Sequence, residues 1–596
     1  MDAAPDSIDR PPRPGSNAAV TDPAVTDRLA LSPDGPVTPN DAEPDGTPSR
    51  RWARRRQWGR LSVPPLVAAA VWVAGFAAVV ALLANAAARL TANPGVSIIE
   101  SDTATPILEA QSILQGHVLL NGWRMLYDSY WTVEVPFYAL GVLVTGVDPV
   151  LMYVVPGVLA ALLLITAAQL ARERLRGGAA VAAVGTLIAL IGLPSDVWAT
   201  LFLHGAWHVA TMLWCLLAFL GLRSSRWGRG WWLAVVLLIA GLLGDLQTVA
   251  YGIGPVVLSG ILASIRTRRW LAGAPALTAG AAAVLGAVLL RKLLGALGAY
   301  TIGTINASAS HDQRWENLGN IPSWLPRVFG VGTGEWGHNG VPAALTAVRW
   351  VAVVVVLVAV LVALWSMLTG VFAGRPGRTA HGQRPGGESW RIDDMLLLAC
   401  LADLAFYVYA AQSGLPGYLR YLAPFVVFGS LLAARMAGRA YARMPAGVVR
   451  RSIAGAGAAL TLLFAASFVV TSVQPVRPVT ASDLAAFLAD HDLTDGVGSY
   501  WTAAMTTVAS HDTVRVRPIT MQNGDVVRYG RQSTRDWYEG QQFQFLVFDT
   551  SDNWGGVNQA SVTAALGRPE HVYRVGTYRV LVWPSTLAID PDRFAG

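Results

Sequence analysis

Apolar positions in this chain come in long unbroken runs, not in the alternating or one-sided patterns of a soluble domain. From Leu61 to Leu83 the sequence is almost free of polar side chains, and comparable runs recur as far as residue 472. A helix rises about 1.5 Å per residue, so roughly 20 apolar residues cross a hydrocarbon core. Spans are predicted at 62–87, 149–170, 179–194, 197–222, 230–243, 245–264, 271–298, 343–371, 392–411, 418–438 and 450–472. That makes about 11, several of them shorter than the ideal length. The runs do not alternate, which argues against a membrane β-barrel. Val133–Val147 is apolar but short, and reads as an interfacial or re-entrant helix.

The polar positions between the runs set the topology. Arg172, Arg174 and Arg176 follow the second span, Arg223, Arg226 and Arg229 the fourth, and Arg266, Arg268 and Arg269 the sixth. Arg375, Arg378, Arg384 and Arg391 follow the eighth; Arg435, Arg439, Arg443 and Arg450 follow or close the tenth. Basic loops mark the cytoplasmic side, so the N-terminus is expected inside and, with an odd count, the C-terminal region outside. Counting Val133–Val147 as a crossing would reverse every later loop. Residues 1–60 are expected to be a disordered cytoplasmic tail. Met1–Arg50 is rich in Pro, Asp, Ala and Ser, has no apolar period and does not read as a signal peptide; Arg51–Arg60 forms a basic collar. Residues 61–472 form the membrane domain, with outer loops at 88–148 and 299–342. Residues 473–596 form a small extracytoplasmic α/β domain. In it DTVRVRP, FQFLVFD and YRVLVWP read as strands, Ser482–His491 as a short amphipathic helix, and Phe543–Phe548 and Tyr578–Trp583 as neighbouring central strands.

Composition agrees. Hydrophobic residues make up 53% and charged residues 14%, against about 25% charge in soluble domains; mean hydropathy is +0.43. The net charge of +7 sits in the inter-span loops, so it does not call for a nucleic-acid partner. Cys215 and Cys400 both fall in apolar helices, which argues against a disulfide framework.

Candidate chemistry gathers on the outer side. Glu100 and Asp102 lie in IESDTATPILEAQSILQG, just past the first span, and Asp196, Asp245 and Gln247 lie at short outer turns. Ionisable groups this close to hydrocarbon usually line a cavity or pair with one another. Asp102, Asp196, Asp245 and His208 are therefore candidates to converge on one outward-facing cavity. Asp102 and Asp196 also suit helix capping. His204 and His208, four residues apart, suit one helical face, as metal ligands or as ordinary interior histidines. In GLPGYLRYLAP, Arg420 offers a planar fork that suits phosphate; snorkelling to headgroups is the plainer use. Trp123, Tyr127, Tyr130, Trp131, Trp315, Trp324 and Trp336 lie in outer loops, where sugar stacking competes with simple interface anchoring.

An acid soon after the first span, a short outer helix, many spans and an outer C-terminal domain resemble the GT-C superfamily of membrane glycosyltransferases. ESDTATPILEAQSILQG resembles that superfamily's first outer loop, and LRYLAPF resembles the arginine–tyrosine–proline element of ArnT-like and protein-mannosyltransferase-like members. Gly496–Pro518, including Tyr500 and Trp501, resembles the outer domain of bacterial members. Protein mannosyltransferases carry an adjacent Asp–Glu pair, whereas here Ser101 separates Glu100 from Asp102. The resemblance implies a polytopic α-helical, GT-C-like enzyme of a bacterial cytoplasmic membrane, its active site facing outside. It implies inverting transfer from a polyprenyl-phosphate sugar to an envelope glycan, lipid or protein. Asp102 would be the base and Glu100 its partner or substitute. Arg420 and Tyr421 would hold the donor phosphate, with His208 or Arg314 adding a second contact. Asp245, Asp196, Tyr127, Trp131 and Trp315 are the expected substrate contacts. A divalent metal can bridge Asp102 and Asp245, both hard oxygen ligands, although the chemistry does not require a cofactor. Ala-, Gly-, Val- and Arg-rich composition fits a GC-rich bacterium such as an actinobacterium. A transporter, or a non-catalytic export or scaffold protein for envelope polymers, shares the topology. A transporter would usually show an internal duplication, and a scaffold has no need of Asp102 and Arg420. A lipid-phosphate hydrolase would be expected to show a denser histidine–acid or metal cluster.

The charge pattern makes a direct prediction. A cysteine introduced in the 520s should be labelled by an impermeant thiol reagent on intact cells after wall removal. Labelling only after lysis would invert the topology.

Overall fold

The computed structural model describes residues 65–90, 100–126, 128–205, 208–223, 227–303, 308–331, 343–372, 392–411, 416–476, 479 and 481–595. The expected 1–60 tail, Tyr127, Arg226, Trp336 and the basic loop from Arg375 to Arg391 lie outside the described residues. Among these residues seven helices are long and apolar enough to cross a membrane. They are Ala69–Arg89, Leu151–Arg172, Val249–Thr267, Trp270–Ala296, Ala344–Phe372, Leu419–Arg443 and Val448–Val470. An eighth counts if Gly178–Gly192 and Asp196–Phe202, bent by 92°, form one broken span. The chain is thus a multi-pass helical membrane protein with seven or eight long apolar helices among the described residues, where the apolar runs alone suggest about 11. The difference comes from short or acid-bearing helices: Val209–Leu222 and Arg229–Gly244, and Ile392–Tyr409, which carries Asp393, Asp394 and Asp403.

One expected span is not continuous. The run 197–222 breaks between Phe202 and Val209, and His208 takes a left-handed backbone with φ 68°. His204 and His208 therefore leave the chain at a break in the helix, not from one helical face. The short Val135–Thr145 helix would reach only about 16 Å at 1.5 Å per residue. It leaves Leu140, Leu143 and Val144 exposed, as an interfacial helix would.

Where the helices must approach closely, side chains vanish. A Cβ on Gly221 would stand 2.6 Å from the Gly230 carbonyl oxygen, the small-residue contact that lets apolar helices pack without a hydrophobic driving force. The arginine-bearing helix ends are cross-linked by buried charge. Arg266 pairs with Asp394. Arg435 pairs with Asp393 at 2.6 Å and with Glu173 at 2.7 Å, and Arg439 reaches Asp393 at 2.7 Å. These ends therefore lie together, as a shared side for the basic loops requires.

Ten strands are described: β1 (Trp123–Met125), β2 (Thr301–Ile302), β3 (Asp495–Ser499), β4 (Arg515–Gln522), β5 (Asp525–Tyr529), β6 (Ser533–Thr534), β7 (Phe543–Asp549), β8 (His571–Val575), β9 (Tyr578–Leu587) and β10 (Phe594–Ala595). Seven form the mixed C-terminal sheet in the order β10-β5-β4-β3-β7-β9-β8. Central β3 is parallel to both β4 and β7. β7 and β9 are antiparallel neighbours, with Phe548 opposite Arg579, the pairing expected from their apolar runs.

The remaining three strands make a small sheet, β2-β1-β6, that ties three distant chain regions together. Arg124 is in register with Thr301, and Trp123 with Thr534. Tyr300 N–H donates to the Leu119 carbonyl at 3.0 Å, and Arg535 N–H to the Gly122 carbonyl at 3.3 Å. The Trp123 ring is buried and meets Trp537 edge-on, with centroids 4.9 Å apart. Replacing Trp123 by Ala is expected to destabilise this joint by about 3–5 kcal/mol. The check is a lowered thermal midpoint with helical circular dichroism unchanged below the transition.

Candidate active site

The site begins with the Ser101–Leu114 helix, called here the acid helix. Glu100 is its N-cap residue, and the Glu100 N–H donates to Thr103 Oγ1 at 3.2 Å. Asp102 is therefore in the first turn and is not the cap. There the free N–H groups and the helix dipole favour a carboxylate. Pro106 lies four residues on, inside the helix, and has no N–H to give the Asp102 carbonyl. Ser101 Oγ donates to the Tyr500 carbonyl at 2.5 Å, which locks the helix start to the C-terminal domain.

Two carboxylates, a histidine and a tyrosine gather at this end, within the field of an arginine. His204 Nε2 bonds Glu100 Oε1 at 2.9 Å. The Tyr500 hydroxyl donates to Asp102 Oδ1 and lies against the Gln532 side-chain amide. Burial pushes Asp102 above the usual carboxylate range and the Glu100 charge adds to it, while Tyr500, Arg420 and His204 pull it back. Glu100 keeps 26% of its side-chain exposure, yet burial pushes its carboxyl up to about 7 against the pull of Arg420. Arg420 thus acts on both acids, and also on Asp128 and Tyr130. Its own ring neighbour is Tyr421, 5.4 Å from the guanidinium carbon to the centroid. Asp403 braces the turn beyond Arg420 by accepting from the Phe425 N–H at 3.0 Å.

A second cluster lies beside the first. His208 Nδ1 bonds Asp245 Oδ2 at 2.6 Å, and His208 Nε2 meets Gln247 Nε2 at 2.8 Å. Tyr251 donates to Gln247 Oε1, so the Gln247 amide donates to Nε2 and the proton on His208 faces Asp245. Thr211 Oγ1 and the Gln247 N–H also donate to Asp245. Asp128 accepts from the Leu246 N–H at 3.1 Å. Burial and the facing Asp245 push Asp128 well above the usual carboxylate range. Asp128, His208 and Asp245 each offer a ligand atom, all within 4.8 Å of one another. One imidazole and two carboxylates suit a divalent cation of borderline hardness, whose charge would relieve the repulsion between the acids. Asp245 is thus grouped with Asp128 and His208 rather than with the expected partner Asp102.

The other expected contacts scatter. Asp196 sits in the first turn of Asp196–Phe202 and faces Arg349. Arg314 is held by the Ala309 carbonyl and the Tyr409 ring, and Trp315 is 63% exposed beside His311. Trp131 donates to the Val118 carbonyl at 3.1 Å and leans on Tyr300. His208 bonds Asp245 and Gln247. Tyr127 lies outside the described residues. Sequence reasoning gave no role to Asp128, Glu134, Asp403 or Gln532. Glu134 is fully buried with neither carboxylate oxygen in a hydrogen bond of normal geometry among the described residues. A lone acid inside an apolar run, as at Asp403, was the available signal; for Gln532 there was none.

No family model matches the chain and no curated protein matches it. Among solved structures it is similar to ArnT from Cupriavidus metallidurans bound to undecaprenyl phosphate. The identity is 13% and the TM-score 0.46, over 86% of this chain and 97% of that one. It is also similar to the Archaeoglobus fulgidus oligosaccharyltransferase in complex with Zn and sulfate, at 13% identity and TM-score 0.41, over 82% of this chain and 70% of that one.

The Asp128–His208–Asp245 group predicts a cation-linked stability. Adding Mn²⁺ or Zn²⁺ to chelator-treated protein should raise its thermal midpoint, by about 2.7 kcal/mol of stabilisation at a hundred times Kd. Asp245→Asn should abolish the response. An unchanged midpoint in the wild type would remove the cation from this site.

Proposed function

We propose that this protein is an inverting glycosyltransferase that moves a sugar from a polyprenyl-phosphate donor to a cell-envelope acceptor on the outer face of the membrane. The observation that carries the reading is the electrostatic coupling of Asp102, in the first turn of the acid helix, to Arg420 at the start of a late span. A base within the field of a phosphate-binding fork suits transfer from a sugar phosphate. The sequence resemblance to GT-C enzymes points the same way.

In this mechanism the acceptor hydroxyl oxygen attacks the anomeric carbon, and the bond from that carbon to the phosphate oxygen breaks with its electron pair leaving on phosphate. The hydroxyl proton passes to the Asp102 carboxylate. A base lifted above the ordinary carboxylate range is better matched to that proton than a solvent-exposed one. Glu100, held by His204, orients the first turn and can share the proton. Arg420 offsets the charge of the departing phosphate, with Tyr421 beside it. Tyr500 holds Asp102 in place, so it is a positioning residue contributed by the C-terminal domain. A divalent cation held by Asp128, His208 and Asp245 would supply further positive charge to a phosphate oxygen.

Three variants test the assignment. Asp102→Asn keeps shape without basicity, and turnover should fall by about 10²–10⁴-fold with donor binding little changed. Arg420→Ala should weaken donor binding by about 10–100-fold, the loss expected for charge-assisted bonds, and Arg420→Lys should recover only part of it. Tyr500 lowers the Asp102 pKa, so Tyr500→Phe should raise it. Because the base must be deprotonated, the acid limb of the kcat/KM profile should then move to higher pH. Normal turnover in Asp102→Asn with loss in Glu100→Gln would transfer the base role to Glu100; normal turnover in both would sink the mechanism.

A further inference from the structure

The acid helix and the Tyr500–Ala509 helix run side by side in the same direction. Ser101 and Tyr500 join them at one end, and Gln111 Nε2 donates to Asp512 Oδ2 at 2.8 Å at the other. Beyond that second junction lies a cavity of about 250 Å³, close to the lower end of small-molecule sites at ~300 Å³. Its walls include Gln111, Trp123, Asp512, Arg515, Arg517 and Trp537, none of which serves the transfer chemistry above.

The lining is built for a polar ligand. Arg517 lays its guanidinium over the Trp537 ring, 4.4 Å from the centroid, and among the described residues that guanidinium makes no hydrogen bond or ion pair. Stacking fixes the plane of the fork and leaves its N–H groups at the edge to bind. Asp512 reaches the cavity through a backbone turn in which His511 and Asp512 both hold positive φ, 54° and 64°. Successive non-glycine residues in that region are costly and are retained where the surroundings over-determine them. Gln115 and Asp536 complete the rim.

The donor and acceptor balance identifies the ligand class. Arg515 Nε and Asp512 Oδ1 pair with each other at 3.5 Å, which leaves Arg517 and Asp536 as the charges facing a ligand: Arg517 would repel a cation and Asp536 a bare anion. Neutral hydroxyl groups, each donor and acceptor at once, satisfy both. Aromatic walls behind planar polar groups suit the apolar face of a sugar ring. We infer that this cavity is a neutral-saccharide subsite that grips the acceptor at a distance from the point of transfer.

The inference rests on the transferase reading and deepens it by naming the acceptor class. Gln111 follows Asp102 by nine residues in one helix, about 13–14 Å along its axis. A single sugar cannot occupy the cavity and present a hydroxyl to Asp102. The acceptor is therefore an oligosaccharide or glycan chain, not a lone hydroxyl on a lipid or protein.

Saturation-transfer NMR on the full-length protein in nanodiscs tests this, with maltose, cellobiose and chitobiose as probes and inorganic phosphate as the anionic control. At least one disaccharide should bind, with phosphate neither binding nor competing. Arg517→Leu should weaken that binding by about tenfold or more. Gln115→Trp, made at an exposed position, should fill the cavity and do the same. Asp102→Asn should leave the binding intact. The subsite is overturned if no disaccharide binds, if phosphate displaces it, or if both cavity variants bind normally. Full turnover in both Asp102→Asn and Glu100→Gln alongside cavity-dependent binding would instead remove the transferase mechanism and leave the saccharide site standing.

Discussion

A charge beside a bilayer must find its counter-charge inside the protein, and the arrangement around Arg420 follows from that constraint. One guanidinium serves Glu100, Asp102 and Asp128, contributed by two separate stretches of the same inter-span region. Leaving several acids buried without it would cost several kcal/mol each. The helix that carries Arg420 begins at a proline-bearing turn held by Asp403, so a buried acid in a neighbouring helix positions the cation on which the first loop depends. The break between Phe202 and Val209 serves the same end. A continuous helix would leave His204 and His208 one turn apart, whereas the break sends one to Glu100 and the other to Asp245.

The C-terminal domain is part of the same constraint. Its Tyr500 is buried against Asp102, surrounded by Trp501, Tyr529 and Trp554. The small β2-β1-β6 sheet fixes the domain to the two inter-span regions by main-chain bonds, which are insensitive to side-chain identity. Side-chain contacts then set the fine position: Ser101 on Tyr500, Gln111 on Asp512 and Trp123 on Trp537. A domain docked by three separated contacts can hold a hydroxyl against a carboxylate with little freedom, the precision that the proposed base would need.

Helical spans, the loop order and the strand character of the C-terminal region were legible in the sequence because each depends on short-range hydrophobic length or period. The Arg-rich helix ends, grouped in the structure by Asp393, Asp394 and Glu173, were legible as charge. The acids at Glu100 and Asp102 and the fork at Arg420 stood out because polar residues are costly where they lie. The count of full crossings was less legible, since apolarity does not report a helix that breaks, as at His208, or one that tolerates buried acids, as at Asp393–Asp403.

What the sequence determined by itself was therefore the solvent each segment must face, because transfer free energy is a property of the residues in the segment. Which residues meet was decided only by tertiary structure. Asp245 could not be assigned to Asp128 and His208 from spacing, nor Asp102 to a tyrosine 398 positions away, because contact between distant segments depends on how whole helices pack and bend. Asp196, Arg314 and Trp315 carry the same chemistry in the sequence as the residues that do converge. The fold sends them to Arg349, Tyr409 and the exposed surface, for the same physical reason.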